Sequence, residues 1–110
     1  MSRHLPPITH LQFLVLDALS ADEKLGRDLR ARLAGHGVRR SAPAFYQMMA
    51  RLEDAALVEG WYDQKVIKGQ HLKERRYRLA RAGRRALDAT RNFYLNRLAA
   101  ADLVRKGSHA

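Results

Sequence analysis

The sequence predicts a mainly α fold with a small β-hairpin, an α+β chain of a single domain. Three observations lead there. Three apolar stripes of helical spacing occupy the first half, the first two opened by a Ser or Thr with a Glu or Gln three residues on and the third by a lone Ser. The period then changes to alternation around residues 57–79 and returns to helical spacing for the last stretch. At 110 residues the chain has the commonest size for one domain.

Each element has its own justification. Thr9-His10-Leu11-Gln12 has the pattern of a capping box, and the residues that follow, through Leu19, are apolar on nearly every side. This first helix is expected to be buried. Ser20-Ala21-Asp22-Glu23 offers a second box, so a second helix is expected from there to about Ala34, with Leu25, Leu29 and Leu33 on one stripe. Gly35-His36-Gly37 ends it. Ser41 opens the third helix, Pro43 is tolerated in its first turn, and the helix is expected to end near Ala55. Its core stripe is Phe45, Met48 or Met49, and Leu52; Pro43, Gln47, Arg51 and Asp54 fall opposite, with Tyr46 at the margin.

Leu57 to Tyr62 and Leu72 to Leu79 read as two strands, joined by a polar connection of roughly nine residues that holds Lys65, Lys68 and Gly69. A long, basic, flexible tip is expected. Trp61 and Tyr62 read as packing between strand and helix, a ligand platform being the alternative. The last helix begins near Arg81 and is expected to reach Val104; Ala82, Ala86, Ala89, Phe93, Asn96, Ala100 and Leu103 alternate spacings of four and three, as heptad positions do. Leu87, Tyr94 and Leu98 widen that stripe beyond what one small domain needs. The expected boundaries are an arm over 1–8, a domain over 9–80, a helix for self-association over 81–105 and a tail over 106–110.

Charge narrows the function. Twenty-one Lys and Arg against eleven Asp and Glu give +10, with an isoelectric point near 10.9. That balance is the electrostatic footprint of a nucleic-acid binder. Its distribution says more: Lys65 to Arg85 holds nine bases and one acid, Glu74, whereas Asp54 to Asp63 holds three acids and no base. The absence of cysteine removes disulfides, thiolate zinc sites and cysteine nucleophiles, and the five histidines show no metal spacing; no metal site and no cofactor is expected. The mean hydropathy of −0.45 and the longest apolar run, Phe13 to Leu16, argue against a membrane span. Pro6, Pro7 and Thr9 interrupt any secretory signal, so a cytoplasmic, nucleoid-associated location is expected. An enzyme is the least favoured class, since there is no glycine-rich phosphate loop and no nucleophile or paired-carboxylate arrangement.

Three helices followed by a basic hairpin is the element order of a winged helix-turn-helix, here with a long C-terminal dimerisation helix. A helix entering the major groove needs its N-terminus near phosphates and short or hydrogen-bonding side chains toward the bases. Ser41, Ala42, Pro43, Tyr46 and Gln47 supply that profile, with Arg51 further along the same helix and Arg39 and Arg40 just before it. On the hairpin, Lys65, Lys68, His71, Lys73, Arg75 and Arg76 are the candidates for backbone or minor-groove contact. A solvated basic face is the competing reading of the same charges.

Residues Ser41 to Gly60 (SAPAFYQMMARLEDAALVEG) resemble the recognition-helix block of the PadR family of bacterial transcriptional regulators. Lys73 to Gly83 (KERRYRLARAG) resembles that family's second wing strand and its junction with the last helix, and Leu16, Leu19 and Gly26-Arg27-Asp28-Leu29 echo the first two helices. The resemblance spans about residues 9–100 and implies the short subtype with one C-terminal helix. It implies a homodimer that binds double-stranded promoter DNA at an inverted repeat, acting as a repressor. The expected dimer interface is Leu11, Leu14, Ala82, Ala86, Ala89, Phe93, Tyr94 and Leu98. It also implies release by a small aromatic effector in a pocket of Phe13, Phe93 and Tyr94, for which core packing is the alternative. Two positions differ from the family pattern. Ala56 stands where glycine is usual, and a left-handed alanine there costs about 1 kcal/mol; Ala80 stands where threonine often caps the last helix. A protein–protein interaction module and an RNA-binding winged helix are the other readings left open.

Overall fold

The structure, a computed structural model, describes residues 8–107, with side chains to Leu103. The predicted arm over 1–7, including His4, and the last three residues, including His109, lie outside the described residues. Seven elements follow in order: α1 (His10–Ala18), β1 (Lys24–Leu25), α2 (Gly26–Gly35), α3 (Ala42–Asp54), β2 (Val58–Ile67), β3 (Gln70–Leu79) and α4 (Arg81–Gly107). The three strands form one antiparallel sheet in the order β1-β3-β2.

The first capping box forms as the sequence predicts. The Gln12 amide donates to Thr9 Oγ1 at 3.1 Å, and the Thr9 amide donates to Gln12 Oε1 at 2.9 Å. The second box does not form. Ser20 Oγ instead donates to the Asp17 carbonyl at 2.7 Å, and α2 begins only at Gly26. The reason is non-local. Lys24 and Leu25 pair with Tyr77 and Arg76 on the free edge of β3, and strand pairing excludes helical dihedrals there. The Leu25, Leu29 and Leu33 stripe survives, all three buried.

Val15, Leu16 and Leu19 of α1 meet Leu29 and Leu33 of α2 and Phe45, Met49 and Leu52 of α3; Val58, Tyr77, Ala86 and Leu87 close the core. Of the two methionines the sequence left open, Met49 is the buried one and Met48 only packs against the cluster. Gly83 sits where α4 crosses the start of β2: a Cβ there would lie 1.9 Å from the Leu57 carbonyl oxygen. Only glycine fits that crossing.

α2 and α3 end in the same hydrogen-bond pattern. The Gly37 amide reaches the Ala34 carbonyl and the Val38 amide the Leu33 carbonyl; the Ala56 amide reaches Glu53 and the Leu57 amide Leu52. The pattern requires a left-handed residue, which is Gly37 (φ 84°) in one case and Ala56 (φ 60°) in the other. At the start of α4 the Ala80 carbonyl accepts from the Arg84 amide, and the Ala80 amide donates to Leu57.

The hairpin differs from expectation. Pairing runs without a break from Val58↔Leu79 to Ile67↔Gln70, so the nine-residue flexible tip is a two-residue turn. Lys68 (φ 51°) and Gly69 (φ 77°) supply the two positive φ angles that a type I′ hairpin turn requires. Three successive polar residues, Asp63, Gln64 and Lys65, followed by two adjacent apolar ones, Val66 and Ile67, obscured the alternation that carries both strands outward. α4 also passes its predicted end at 105, so the expected tail is helical at 106 and 107. Among the described residues, no helix is long and apolar enough to cross a membrane.

Candidate nucleic-acid interface

The start of α3 is built to face an anion. Ser41 caps it, its Oγ accepting from the Ala44 amide at 3.3 Å, and the first turn carries no acid. Helix dipole and unpaired amides therefore leave a positive end. Arg39 and Arg40 stand exposed immediately before it, and Arg30 Nε of α2 donates to the Arg40 carbonyl at 2.9 Å, tying the turn to α2. Arg27, Arg30, Arg39 and Arg40 line a shallow cleft of about 250 Å³ with Ala31 and Ala34. The sequence reading missed Arg27 and Arg30; their i, i+3 spacing on one side of the leucine stripe was the available signal.

Along α3, Pro43, Tyr46, Gln47 and Arg51 are exposed and Ala42 is half-buried. Tyr46 leans back over the first residue of α2: a Cβ at Gly26 would lie 2.8 Å from a Tyr46 ring carbon. Its ring also meets Phe45 edge-to-face at 5.0 Å. Glycine at 26 is thus the seat of the tyrosine.

The hairpin's two faces have different charge fates. On one face three cross-strand ion pairs form: Arg78 with Glu59 at 2.7 Å, Arg76 with Asp63 at 3.0 Å and Lys65 with Glu74 at 3.8 Å. Arg76 also meets Glu23 at 3.6 Å, and Arg27 meets Glu74 at 3.3 Å. Arg78 lies over the Trp61 ring at 5.3 Å, so Trp61 packs across the strands and not between strand and helix as its sequence reading had it. The opposite face turns toward α3. There Arg75 Nη2 donates to Glu53 Oε1 at 2.5 Å, and its guanidinium lies 4.8 Å from the Tyr62 ring centroid and 5.6 Å from that of Tyr77. Arg75, Arg76 and Lys65, expected to meet nucleic acid, are therefore held by carboxylates of the protein itself. Pairing register decides this, and it is not visible in a residue count. Lys68, His71 and Lys73 remain exposed, with no ion pair among the described residues. Tyr62, expected to pack, is 64% exposed.

A cleft of about 580 Å³ separates α3 from the hairpin, lined by Tyr46, Glu53, Tyr62, Glu74, Arg75 and Tyr77 among others. Burial lifts the Tyr77 hydroxyl to a pKa of about 12, against the opposing influence of Arg75. Burial works against the charge of Arg75, but the hydrogen bond and ion pair with Glu53 hold its pKa above the ordinary value.

The expected dimer residues separate into three groups. Ala86 is 7% exposed and belongs to the core of its own protomer, so it is not on an open face. Leu14 packs against the core, and Leu11 lines a cleft of about 530 Å³ beside Val38, Arg39 and Arg40, on the α2–α3 turn side. Phe13 also packs against the core. Ala82 and Phe93 are half-buried and Ala89 is exposed; Arg97 lies over the Phe93 ring at 5.2 Å, and Phe93 meets Tyr94 edge-to-face at 5.2 Å. Among the described side chains, Tyr94, Leu95, Leu98 and Leu103 are the large apolar residues left open on α4, each at least half exposed. Leu95 was not anticipated. The heptad register runs through buried Ala86 and half-buried Ala82 and Phe93 and then through exposed Ala89, Asn96, Ala100 and Leu103; Leu95 lies outside it.

No family model and no curated protein matches the sequence. Solved structures do match. A PadR family transcriptional regulator from Eggerthella lenta is 29% identical, with a TM-score of 0.62, over 87% of this chain and 79% of that one. A PadR-like transcriptional regulator from Bacillus cereus is 20% identical, with a TM-score of 0.68, over 86% and 89%. PadR from Bacillus subtilis, solved in complex with operator DNA, is 21% identical with a TM-score of 0.61; 76% of this chain aligns and spans 46% of that protein's length.

Proposed function

On the premise that the chain is PadR-like, in sequence pattern and in fold, we propose that it is a DNA-binding transcriptional regulator. The observation that carries this is the start of α3, where Arg39 and Arg40 flank an uncompensated helix N-terminus and Pro43 and Gln47 stand exposed. An α-helix fits the major groove of B-DNA, and these side chains are short enough or polar enough to approach base edges. Arg39 and Arg40 contact phosphates beside it, and Lys68 and Lys73 reach the adjacent backbone from the wing. Residues 9–80 form the DNA-binding domain in this reading.

α4 joins two copies. Tyr94, Leu95 and Leu98 are exposed within about one turn on the outer half of α4, with Leu103 further round the helix, and an exposed apolar cluster of that kind marks an association surface. A two-fold dimer presents two recognition helices about one turn of DNA apart and so reads an inverted repeat. Bound over a promoter it obstructs polymerase, which makes it a repressor. A small aromatic effector, if one acts, has the exposed Tyr94 and half-buried Phe93 rings to stack on at the dimer face.

Gel-shift titration against the DNA upstream of the protein's own gene tests the proposal. Retention at low salt that weakens steeply as salt rises supports it. Absence of a shift on every inverted-repeat promoter fragment overturns it, and retention of single-stranded or structured RNA in preference to duplex DNA would indicate the RNA-binding alternative. Leu98→Glu should convert the dimer to a monomer in sedimentation and weaken operator binding at least about tenfold through lost bivalency.

A further inference from the structure

We propose that Glu53 and Arg75 form a clasp that sets the position of the wing against α3, making Glu53 a positioning residue for DNA recognition; the inference rests on the DNA-binding reading above. Glu53 lies one residue from the end of α3, and Arg75 lies midway along β3, 22 residues later in the chain. Their contact at 2.5 Å, with each side chain about three-quarters buried, bridges the two elements that read DNA. The clasp is seated on three sides. Tyr62 and Tyr77 flank the guanidinium, which removes rotational freedom that a surface arginine would keep. Gly60 of β2, the register partner of Tyr77, leaves room for the carboxylate: a Cβ there would lie 2.5 Å from Glu53 Oε1, 2.9 Å from its carboxyl carbon and 2.9 Å from a Tyr77 ring carbon.

The position of the clasp explains why it matters for recognition. Lys73, one of the wing's unpaired cations, is two residues from Arg75 on the same strand and points to the same face. An error of an ångström or two at Arg75 is carried to Lys73 and onward to Lys68 at the turn. A cleft of about 580 Å³ separates α3 from the hairpin along this face, and the clasp spans it. Buried Val58 and Tyr77 fix the base of the hairpin to α3; without the clasp the wing beyond that base can pivot against the recognition helix. With it they make one template that fits a single spacing of major-groove and backbone contacts.

The test is a double-mutant cycle read on DNA affinity and its salt dependence, with thermal melting and circular dichroism to establish that each variant is folded. In the wild-type dimer, Lys73→Ala should lower the slope of log K against log salt by about two units, one contact per protomer. In Glu53→Ala that second substitution should change the slope by nothing measurable, because the wing is already out of register. Glu53→Gln keeps an oxygen acceptor for Arg75 and should behave as wild type. Gly60→Ala presses on both the carboxylate and the Tyr77 ring, so it should displace the clasp with both charges intact and reproduce the Glu53→Ala slope, which provides a second route if Glu53→Ala does not fold. A hydroxyl-radical footprint should lose protection at the wing contacts and keep it where α3 binds. Wild-type binding in which Lys73→Ala has the same effect with and without the clasp overturns this inference and leaves the DNA reading standing. No binding by the wild type overturns the reading itself.

Discussion

Two regions of this chain are basic in sequence, and they use their charge differently. Around the start of α3, Arg39 and Arg40 stand exposed with no carboxylate partner, and the helix behind them adds its own positive end. On the hairpin four of the basic side chains, Lys65, Arg75, Arg76 and Arg78, face carboxylates supplied by β2, β3, α3 or the turn before β1. The first region is charged toward solvent and hence toward a ligand. The second uses most of its charge to hold two long strands and a helix in place, leaving Lys68, His71 and Lys73 for contact. Net charge counts both alike, although only unpaired groups displace counterions from DNA.

The largest effect should come from the first region. Arg39→Ala with Arg40→Ala removes two phosphate contacts per protomer, so the salt slope of a DNA-binding dimer should fall by about four units. Lys73→Ala should lower it by about two, the same loss for each unpaired cation, and a smaller loss per side chain at Lys73 would mean that the wing stands off the DNA. Ala56→Gly addresses the scaffold: the left-handed alanine at φ 60° should be relieved, raising thermal stability by about 1 kcal/mol with no change in DNA binding. Arg78→Ala is expected to do least. Its exposed pair with Glu59 contributes under about 1 kcal/mol, and the salt slope should not move. A drop of a full unit or more for Arg78 would mean that the hairpin pairs open when DNA arrives.

Solution pH offers a further check on the buried end of the clasp. Tyr77 has a pKa of about 12 in the folded state against about 10 when unfolded. The folded state therefore binds its proton more tightly, so that stability is fully present below pH 10 and declines as pH rises from 10 toward 12. Tyr77→Phe should flatten that decline in denaturant titrations.

Much of the fold was legible because it is local. The Thr9 capping box, the leucine stripe of α2, the Ser41 cap and the core stripe of α3 depend on residues within a few positions of one another. Ala56 was legible only through the family resemblance, in which glycine is usual at that position. What was missed depends on distant partners. Ser20 and Glu23 carry a good capping signal, yet the free edge of β3 draws Lys24 and Leu25 into a strand. The hairpin's outer residues run polar over Asp63, Gln64 and Lys65 and apolar over Val66 and Ile67, which shows no alternation, and only their partners on β3 define them as strand. Arg75 and Arg76 looked like DNA ligands because adjacent residues on a strand point to opposite faces, and their carboxylate partners lie elsewhere in the chain. Ala86 fitted a heptad, but α1 already covers that side of α4.

The account rests on the claim that the unpaired cations of α3's approach and of the wing meet DNA phosphates. Fluorescence anisotropy of a promoter fragment carrying an inverted repeat, titrated across a range of salt, measures this directly. If Arg39, Arg40, Lys68 and Lys73 each neutralise one phosphate in both protomers, the slope of log K against log salt should be about −7. A slope shallower than about −2, or no binding at low salt, would contradict it.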